Sequence, residues 1–461
     1  MKNTLLILSI LVIFSSCDDW LDIKPKGKIT FEETEDFRLL LDQTDNLLAA
    51  SSAITEGHRN VIFCSDDIQL PDGYPHYFEE LKRNYVWAEV IFLEYQSDPD
   101  WATIYSQMYV SNYVISKLEG SSDAEDKKLL AEAKIHRAYN YFILVNTYAK
   151  HYNKNSSSTD LGVPLLLKPG LYGDLTRKTV KEVYDQILKD IREAVEIKDF
   201  PDVAKENFNH RPSKAVAYGL WARVALYMGD YKTALDKAEE SLKLYDFLYD
   251  YNELADAQSK DIGSSFFPFN YKNKETLFNK RIQDSPNAFV PSPELLKLYD
   301  KKNDLRFLKQ YMMEELPPNF TGYVYNIEIY EKQGGIGTAE IYLIRAECNA
   351  RIGSYKAAMD DVNKIRELRW GKKNEEGEDE KYDPFVPLTA SNKEDALKMV
   401  KDERRKELAF KGLRWFDLKR YNEHDNANIS LTRTYEGKQY RLEAKADRWA
   451  LPIMEKYLDK K

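Results

Sequence analysis

The stretch from Ala215 to Leu244 returns as Ala339 to Leu368, and a chain that repeats a helix pair has few architectures open to it. Laying Gly229-Asp230-Tyr231 on Gly353-Ser354-Tyr355 brings Ala215 onto Ala339, Tyr218 onto Tyr342, Ala222 onto Ala346, Lys232 onto Lys356 and Ala234 onto Ala358. Each glycine falls where two helices must turn, and glycine takes the left-handed conformation that a helix end prefers. The alanines let antiparallel helices approach closely. In the first copy Tyr231, Ala234, Leu235, Ala238 and Leu242 share one face, with Lys232, Asp236, Glu239, Glu240 and Lys243 opposite. The helix before it, with Val216, Leu220, Trp221, Val224 and Leu226 around its alanines, is apolar on nearly all sides and belongs between neighbours. Neither helix carries a catalytic group, so the repeats read as scaffold.

This spacing is the pattern of tetratricopeptide helix pairs. It predicts a mostly α fold, with tetratricopeptide-like helix pairs forming a scaffold over about 101–247 and 338–422. Capping boxes mark helix starts at Ser122 with Glu125, Thr179 with Glu182 and Ser391 with Glu394. Thr30 to Leu48 carries Phe37, Leu40, Leu41 and Leu48 at helical spacing, and Val400 to Tyr421 reads as two helices broken at Gly412. Two parts are irregular, about 49–100 and 248–337. The first breaks at Pro71, Asp72-Gly73 and Pro75; the second holds Phe266-Phe267-Pro268-Phe269, Pro291-Ser292-Pro293 and Pro317-Pro318. Long irregular segments inside a helical protein are more often functional than decorative, so these form a loop-rich subdomain within one domain, 31–461.

The amino end reads as a processing signal. Lys2 supplies the positive start, Leu5 to Phe14 the apolar run, and Ser15-Ser16 the small residues before Cys17. That run is too short to span a bilayer. Residues 1–16 are therefore expected to be removed and Cys17 to be lipidated, followed by an extended leader over 17–30 in which Pro25 and Gly27 forbid a long helix. The alternative is a plain secretory signal with an incidental cysteine. Several acyl chains would anchor the mature protein stably in a membrane, where one binds only reversibly. A formal charge of −9 and a pI near 5.5 argue against a nucleic-acid partner, which requires a basic face.

Chemistry is weakly signalled. The six histidines are dispersed and include no HExxH, so no metal or cofactor is expected. Adjacent acids such as Asp66-Asp67, Glu79-Glu80 and Asp360-Asp361 point in different directions on any regular element and make no acid–base pair by spacing. Cys64 and Cys348 either pair or stay as two buried thiols. The composition is rich in rings instead, with 32 Tyr, 20 Phe and 7 Trp.

Motifs along nearly the whole chain resemble the SusD/RagB family. They are Cys17-Asp18-Asp19-Trp20-Leu21-Asp22 with Pro25, Arg137-Ala138-Tyr139 with Tyr141-Phe142, and Gly162-Val163-Pro164. Arg177 with Val183-Tyr184, Pro291-Ser292-Pro293-Glu294-Leu295-Leu296, Asp304-Leu305-Arg306 and Arg345-Ala346-Glu347 continue them. The most specific is Glu403-Arg404-Arg405-Lys406-Glu407-Leu408-Ala409-Phe410 followed by Gly412-Leu413-Arg414-Trp415-Phe416-Asp417-Leu418-Lys419-Arg420.

The resemblance implies a non-catalytic outer-membrane lipoprotein of Bacteroidetes, facing outward. Such a protein captures a glycan or related nutrient and delivers it to a SusC-like TonB-dependent transporter. A sugar ring offers apolar C–H faces ringed by hydroxyls, so stacked aromatics with a polar rim are expected in the irregular parts. Trp87, Tyr74 and Tyr77 in the first part and Phe269, Tyr271, Tyr323 and Tyr325 in the second are the candidates, with Trp87 foremost; for each, core packing is the competing role. Arg404, Arg405, Glu407, Trp415 and Asp417 are read as structural, with Glu407 paired to Lys411. Two other readings compete: a tetratricopeptide adaptor that binds only protein, whose loop aromatics would be buried, and a glycoside hydrolase, which needs two carboxylates facing across a cleft.

Overall fold

The structure, a computed structural model, describes residues 31–44, 55–75, 77–170, 173–258, 270–282, 289–325, 334–372 and 382–459. The expected signal, Cys17, the leader and Phe269 lie outside the described residues. The first helices are α1 (Thr34–Leu41), α2 (Arg59–Cys64), α3 (Glu79–Tyr85), α4 (Pro99–Leu118), α5 (Ala124–Tyr148), α6 (Val180–Val195), α7 (Lys214–Tyr227), α8 (Tyr231–Leu244) and α9 (Tyr251–Gln258). They are followed by α10 (Pro293–Leu296), α11 (Leu305–Gln310), α12 (Thr338–Ile352), α13 (Tyr355–Arg369), α14 (Lys393–Glu407) and α15 (Arg414–His424). Among the described residues ten short strands lie between them: β1 (Thr55–Glu56), β2 (Leu161–Pro164), β3 (Arg177–Thr179), β4 (Thr276–Phe278), β5 (Arg281–Ile282), β6 (Tyr311–Leu316), β7 (Phe320–Tyr325), β8 (Ile336–Gly337), β9 (Leu431–Tyr435) and β10 (Lys438–Leu442). They pair only two by two: β1 with β5 in parallel, and β2 with β3, β4 with β8, β6 with β7 and β9 with β10 antiparallel. The protein is mostly α.

The two copies of the repeat form the helix pairs α7/α8 and α12/α13, turning at Gly229 (φ 76°) and Gly353 (φ 94°). Small residues sit where helices meet. A Cβ on Gly219 would fall 3.0 Å from Ile341 and 3.3 Å from the Ser241 hydroxyl, so a larger residue there would make those side chains of α12 and α8 give way. The long helix α5 is buried through its last five turns and forms the spine of the larger hydrophobic core, which α4, α6, α7 and α12 share.

The three starts marked by capping boxes fall within a residue of where the sequence put them. Thr179 and Glu182 make the expected capping box on α6. The caps of α5 and α14 are Asp123 and Asn392, one residue past the expected Ser122 and Ser391. Asp123 accepts from the backbone N–H groups of Glu125 and Asp126 at 2.8 and 3.0 Å, and a carboxylate gains from the helix dipole where a hydroxyl does not. The expected helix from Thr30 to Leu48 is shorter, and the segment 49–100 is less irregular than expected because α2 and α3 lie within it.

The last helices are locked by buried charge. Arg420 donates to both oxygens of Glu347 at 2.6 Å and to Asp417 at 2.8 Å; Arg404 reaches the other oxygen of Asp417 at 2.8 Å. Arg306 and Arg369 meet at Glu407, at 2.7 and 2.8 Å. The expected Glu407–Lys411 pair is replaced by these arginines, because α14 ends at Glu407 and Lys411 lies beyond its last turn. Removing one member of such a buried set would strand its partner's charge.

Candidate functional site

A second, smaller core carries the site. It gathers residues from both irregular parts with Ala409, Phe410 and Tyr435 near the chain's end. Rings run through it in an unbroken chain. Tyr74 meets Tyr77 at 4.9 Å, Tyr77 meets Phe63 at 5.7 Å, and Phe63 meets Phe289 at 5.9 Å. Phe289 stacks on Phe410 at 5.3 Å, and the chain continues through Tyr325, Tyr311 and Phe307 to Tyr323. Edge-to-face rings at these separations are stabilising beyond their buried area, so the subdomain holds its shape with little regular structure.

On this core lies a groove of about 750 Å³. Four segments far apart in sequence border it, 66–72, 292–294, the tip of the β6–β7 hairpin at Asn319-Phe320, and 430–434 along β9, with buried Tyr85 at the end of α3 between them. Phe320 is half-buried and its ring lies over Gly322, where a Cβ would fall 2.5 Å from the ring. Lining the groove with it are Gln69, Asp72, Glu294, Asn319, Thr432 and Thr434, amides, hydroxyls and carboxylates, and the one cation among the described lining residues, Arg433, is buried. Such a lining suits a neutral, hydroxyl-rich ligand and repels an anion. The size is that of an ordinary small-ligand site.

Arginines hold the groove's loops in place. Arg414 donates to both oxygens of Asp66 at 2.7 and 2.9 Å, and Arg405 to Asp67 at 2.7 Å and to the Asp66 carbonyl at 2.9 Å. Burial raises the Asp66 carboxyl, but Arg414 and Arg405 more than offset this and hold it well below the usual range. Ser292 closes the other side, donating through its hydroxyl to the Asp66 carbonyl and through its N–H to that of Asp67, at 2.7 and 2.8 Å. From β9, Arg433 reaches beneath the floor and donates to the carbonyls of Phe63, Cys64, Ser65 and Tyr85. These are chain-end carbonyls of α2 and α3, which lack partners inside their helices. The β9–β10 hairpin that presents Arg433 turns through Glu436 and Gly437, both at positive φ as a two-residue turn requires, and Asp72 accepts from the Glu436 N–H at 2.8 Å.

The expected ligand rings divide. Tyr74, Tyr77, Tyr323 and Tyr325 join the one ring chain, but Tyr74 and Tyr77 are buried in it, beneath the surface. Trp87, expected foremost, is 7 % exposed and lies in the larger core. It occupies the left-handed position after α3, φ 51°, with the Trp87 and Ala88 N–H groups donating to the Asn84 and Arg83 carbonyls. Its indole N–H donates to the Cys64 carbonyl at 3.1 Å, and Arg433 covers its ring at 4.4 Å. The burial of Trp87, Tyr74 and Tyr77 corrects the expectation of open stacking faces: a helix end and a core need those rings. Tyr323 and Tyr325 are half-buried on the hairpin face opposite Phe320, and Tyr325 borders a cavity of about 60 Å³, too small for a sugar. Tyr271 is exposed, away from the groove. Phe320 itself escaped sequence reading; its signal was the alternation Phe320, Gly322, Val324 after the Pro317-Pro318 turn.

Cys64 and Cys348 are both buried free thiols. Among the described residues no three His, Cys, Asp or Glu side chains could together hold a metal ion, and no helix is long and apolar enough to cross a membrane.

Two family models match the chain: one described as starch-binding associating with outer membrane, over residues 19–226, and one described as SusD family, over residues 335–460. A SusD-like protein, P38, of Formosa agariphila is 24 % identical over 91 % of each chain. A SusD superfamily protein from Bacteroides thetaiotaomicron superimposes with a TM-score of 0.68, at 20 % identity, over 92 % of this chain and 97 % of its own. A laminarin-binding SusD-like protein does so with a TM-score of 0.60, at 21 % identity, over 86 % of this chain and 93 % of its own. A SusD-like carbohydrate-binding protein from Bacteroides vulgatus gives 0.64, at 16 % identity, over 92 % and 96 %. With its two ends matched by family models and its fold shared nearly throughout, the chain belongs to the SusD/RagB family.

Proposed function

We propose that this protein is a non-catalytic receptor that holds a neutral glycan in the groove beside Phe320 and delivers it to a SusC-like TonB-dependent transporter. The observation that carries the glycan reading is the groove: one ring face ringed by amide, hydroxyl and carboxylate groups, on loops fixed by arginine. Family membership supports carbohydrate as the ligand class and binding rather than turnover as the activity. Tethering at the outer membrane through lipid on Cys17 and delivery to the transporter belong to the proposal; the amino-terminal signal and the family's description as outer-membrane-associated support them.

The burial of Trp87, Tyr74 and Tyr77 is what a protein-binding adaptor would also show. Affinity electrophoresis separates the two readings. In gels containing neutral polysaccharides, laminarin among them, the protein should be retarded by at least one and the Phe320→Ala variant should migrate freely. Unretarded migration in every gel, or retardation indifferent to Phe320, would favour the adaptor. Incorporation of labelled palmitate, lost in Cys17→Ala, tests the anchor separately.

A further inference from the structure

A second cleft, of about 220 Å³, shares no lining residue with the groove. It opens between the loop 203–209, which follows α6, and the segment 271–277 that leads into β4. Tyr245 forms one wall, pinned by its hydroxyl, which donates to the Lys274 carbonyl at 2.7 Å. Tyr271, 44 % exposed, stands at the mouth. The floor is tied down: the Asn209 side-chain amide donates to the Asn273 and Thr276 carbonyls, both at 3.3 Å, and the Asn209 carbonyl accepts from the Asn279 N–H at 2.8 Å. Asn207, at φ 67°, turns the loop over the cleft.

Its charge is the reverse of the groove's. Lys205, Lys272 and Lys274 ring the opening against a single carboxylate, Glu206. Glu206 lies 3.8 Å from Lys274 with both side chains more than half exposed, a pair worth little in water. Among the described residues neither Lys205 nor Lys272 has a carboxylate within ion-pair range; Lys205 stands 5.8 Å from the Phe208 ring. A local excess of cations on a chain of net charge −9 marks a place where a negative group is favoured. The fixed tyrosine wall, the exposed ring and the amides supply what a pyranose needs, and the volume admits about one sugar unit.

We infer that this cleft binds an anionic sugar residue, its ring against Tyr271 and its carboxylate or sulfate among Lys205, Lys272 and Lys274. The cleft is independent of the groove, so a protein of this design could hold an acidic branch or chain end while a neutral stretch of glycan lies by Phe320.

The test runs the purified protein at physiological salt in gels of polygalacturonate and of a sulfated galactan, with three variants checked for native circular dichroism. Retardation is expected in at least one gel, and the gel in which it occurs identifies the anionic group. The Lys205→Glu/Lys272→Glu double variant should lose about tenfold in apparent affinity, Tyr271→Ala should also weaken it, and Phe320→Ala should leave it unchanged. Free migration in both gels would overturn the inference. So would retardation that survives the charge reversals, or that ignores Tyr271, since plain ion exchange needs no ring. Loss in Phe320→Ala alone would place the anion in the groove and overturn it too.

Discussion

Replacing Arg433 by methionine should unfasten the floor of the groove. The guanidinium is buried between the rings of Tyr85 and Trp87, 4.1 and 4.4 Å from their centres, and donates to four carbonyls, those of Phe63 and Cys64 at 3.0 Å and those of Ser65 and Tyr85. Hydrogen bonds from a charged donor are worth about 1.5–3 kcal/mol each, so the four gross roughly 6–12 kcal/mol. Against this stands the cost of burying the cation. Burial lowers the Arg433 pKa to about 10, which corresponds to about 3 kcal/mol at 1.36 kcal/mol per unit. Some carbonyls regain water when the side chain is gone, so the lower end of the difference applies and a loss of about 3–5 kcal/mol is expected. Methionine fills the space between the rings but donates nothing. Urea unfolding followed by tryptophan fluorescence gives the global loss, and amide hydrogen exchange locates it. Exchange should accelerate in α2, α3 and 65–72 well before α5 and α7. A loss under about 1 kcal/mol, or uniform acceleration along the chain, would refute the reasoning.

Other outcomes follow from the same geometry. Trp87→Ala should cost about 3–5 kcal/mol as a core truncation in urea unfolding, yet leave the glycan affinity of the folded protein unchanged; lost affinity at unchanged stability would return Trp87 to the ligand site. Burial, with the neighbouring Asp100, pushes the Asp98 carboxyl up to about 7 against hydrogen bonds from Tyr148, Trp101 and Asn60. A raised carboxyl contributes fully below the unfolded value near 4, and its contribution is lost as pH rises through 7. Asp98→Asn should therefore gain stability relative to the parent between pH 5 and 8 in thermal melts, and a pH-independent difference would contradict this. Burial lifts the Cys64 thiol to about 12 and Cys348 higher still, so both should resist a thiol reagent in the native protein and react together on unfolding.

What the sequence revealed and what it hid divide along contact distance. The repeat, its turn glycines and the cap at Thr179 are local patterns, and each recurs in the fold where the spacing put it. At Ser122-Asp123 and Ser391-Asn392 two good caps stand side by side, and only the backbone decides which accepts the N–H groups. Arg404 and Asp417 were each legible as structural, though not as each other's partner, and Glu407 was assigned to Lys411 because its true partners, Arg306 and Arg369, come from other helices. The groove is the extreme case: residues 66–72, 292–294, 319–320 and 430–434 meet only after folding. Ring content pointed to the right subdomain, yet burial cannot be read from ring content. Tyr74 and Tyr77 sit inside the ring chain, Trp87 closes a helix, and of the two described rings that border the groove Tyr85 is buried and Phe320 half-buried.

The central claim is that the groove beside Phe320 holds a glycan and leaves it intact. Hydrogen exchange of the mature protein saturated with the neutral oligosaccharide that retards it, with mass spectrometry of the recovered sugar, tests this most directly. Protection should concentrate at 66–72, 319–320 and 430–434, and the oligosaccharide should return at its starting length. Shortened product, or protection confined to the faces of α7, α8, α12 and α13, would contradict it.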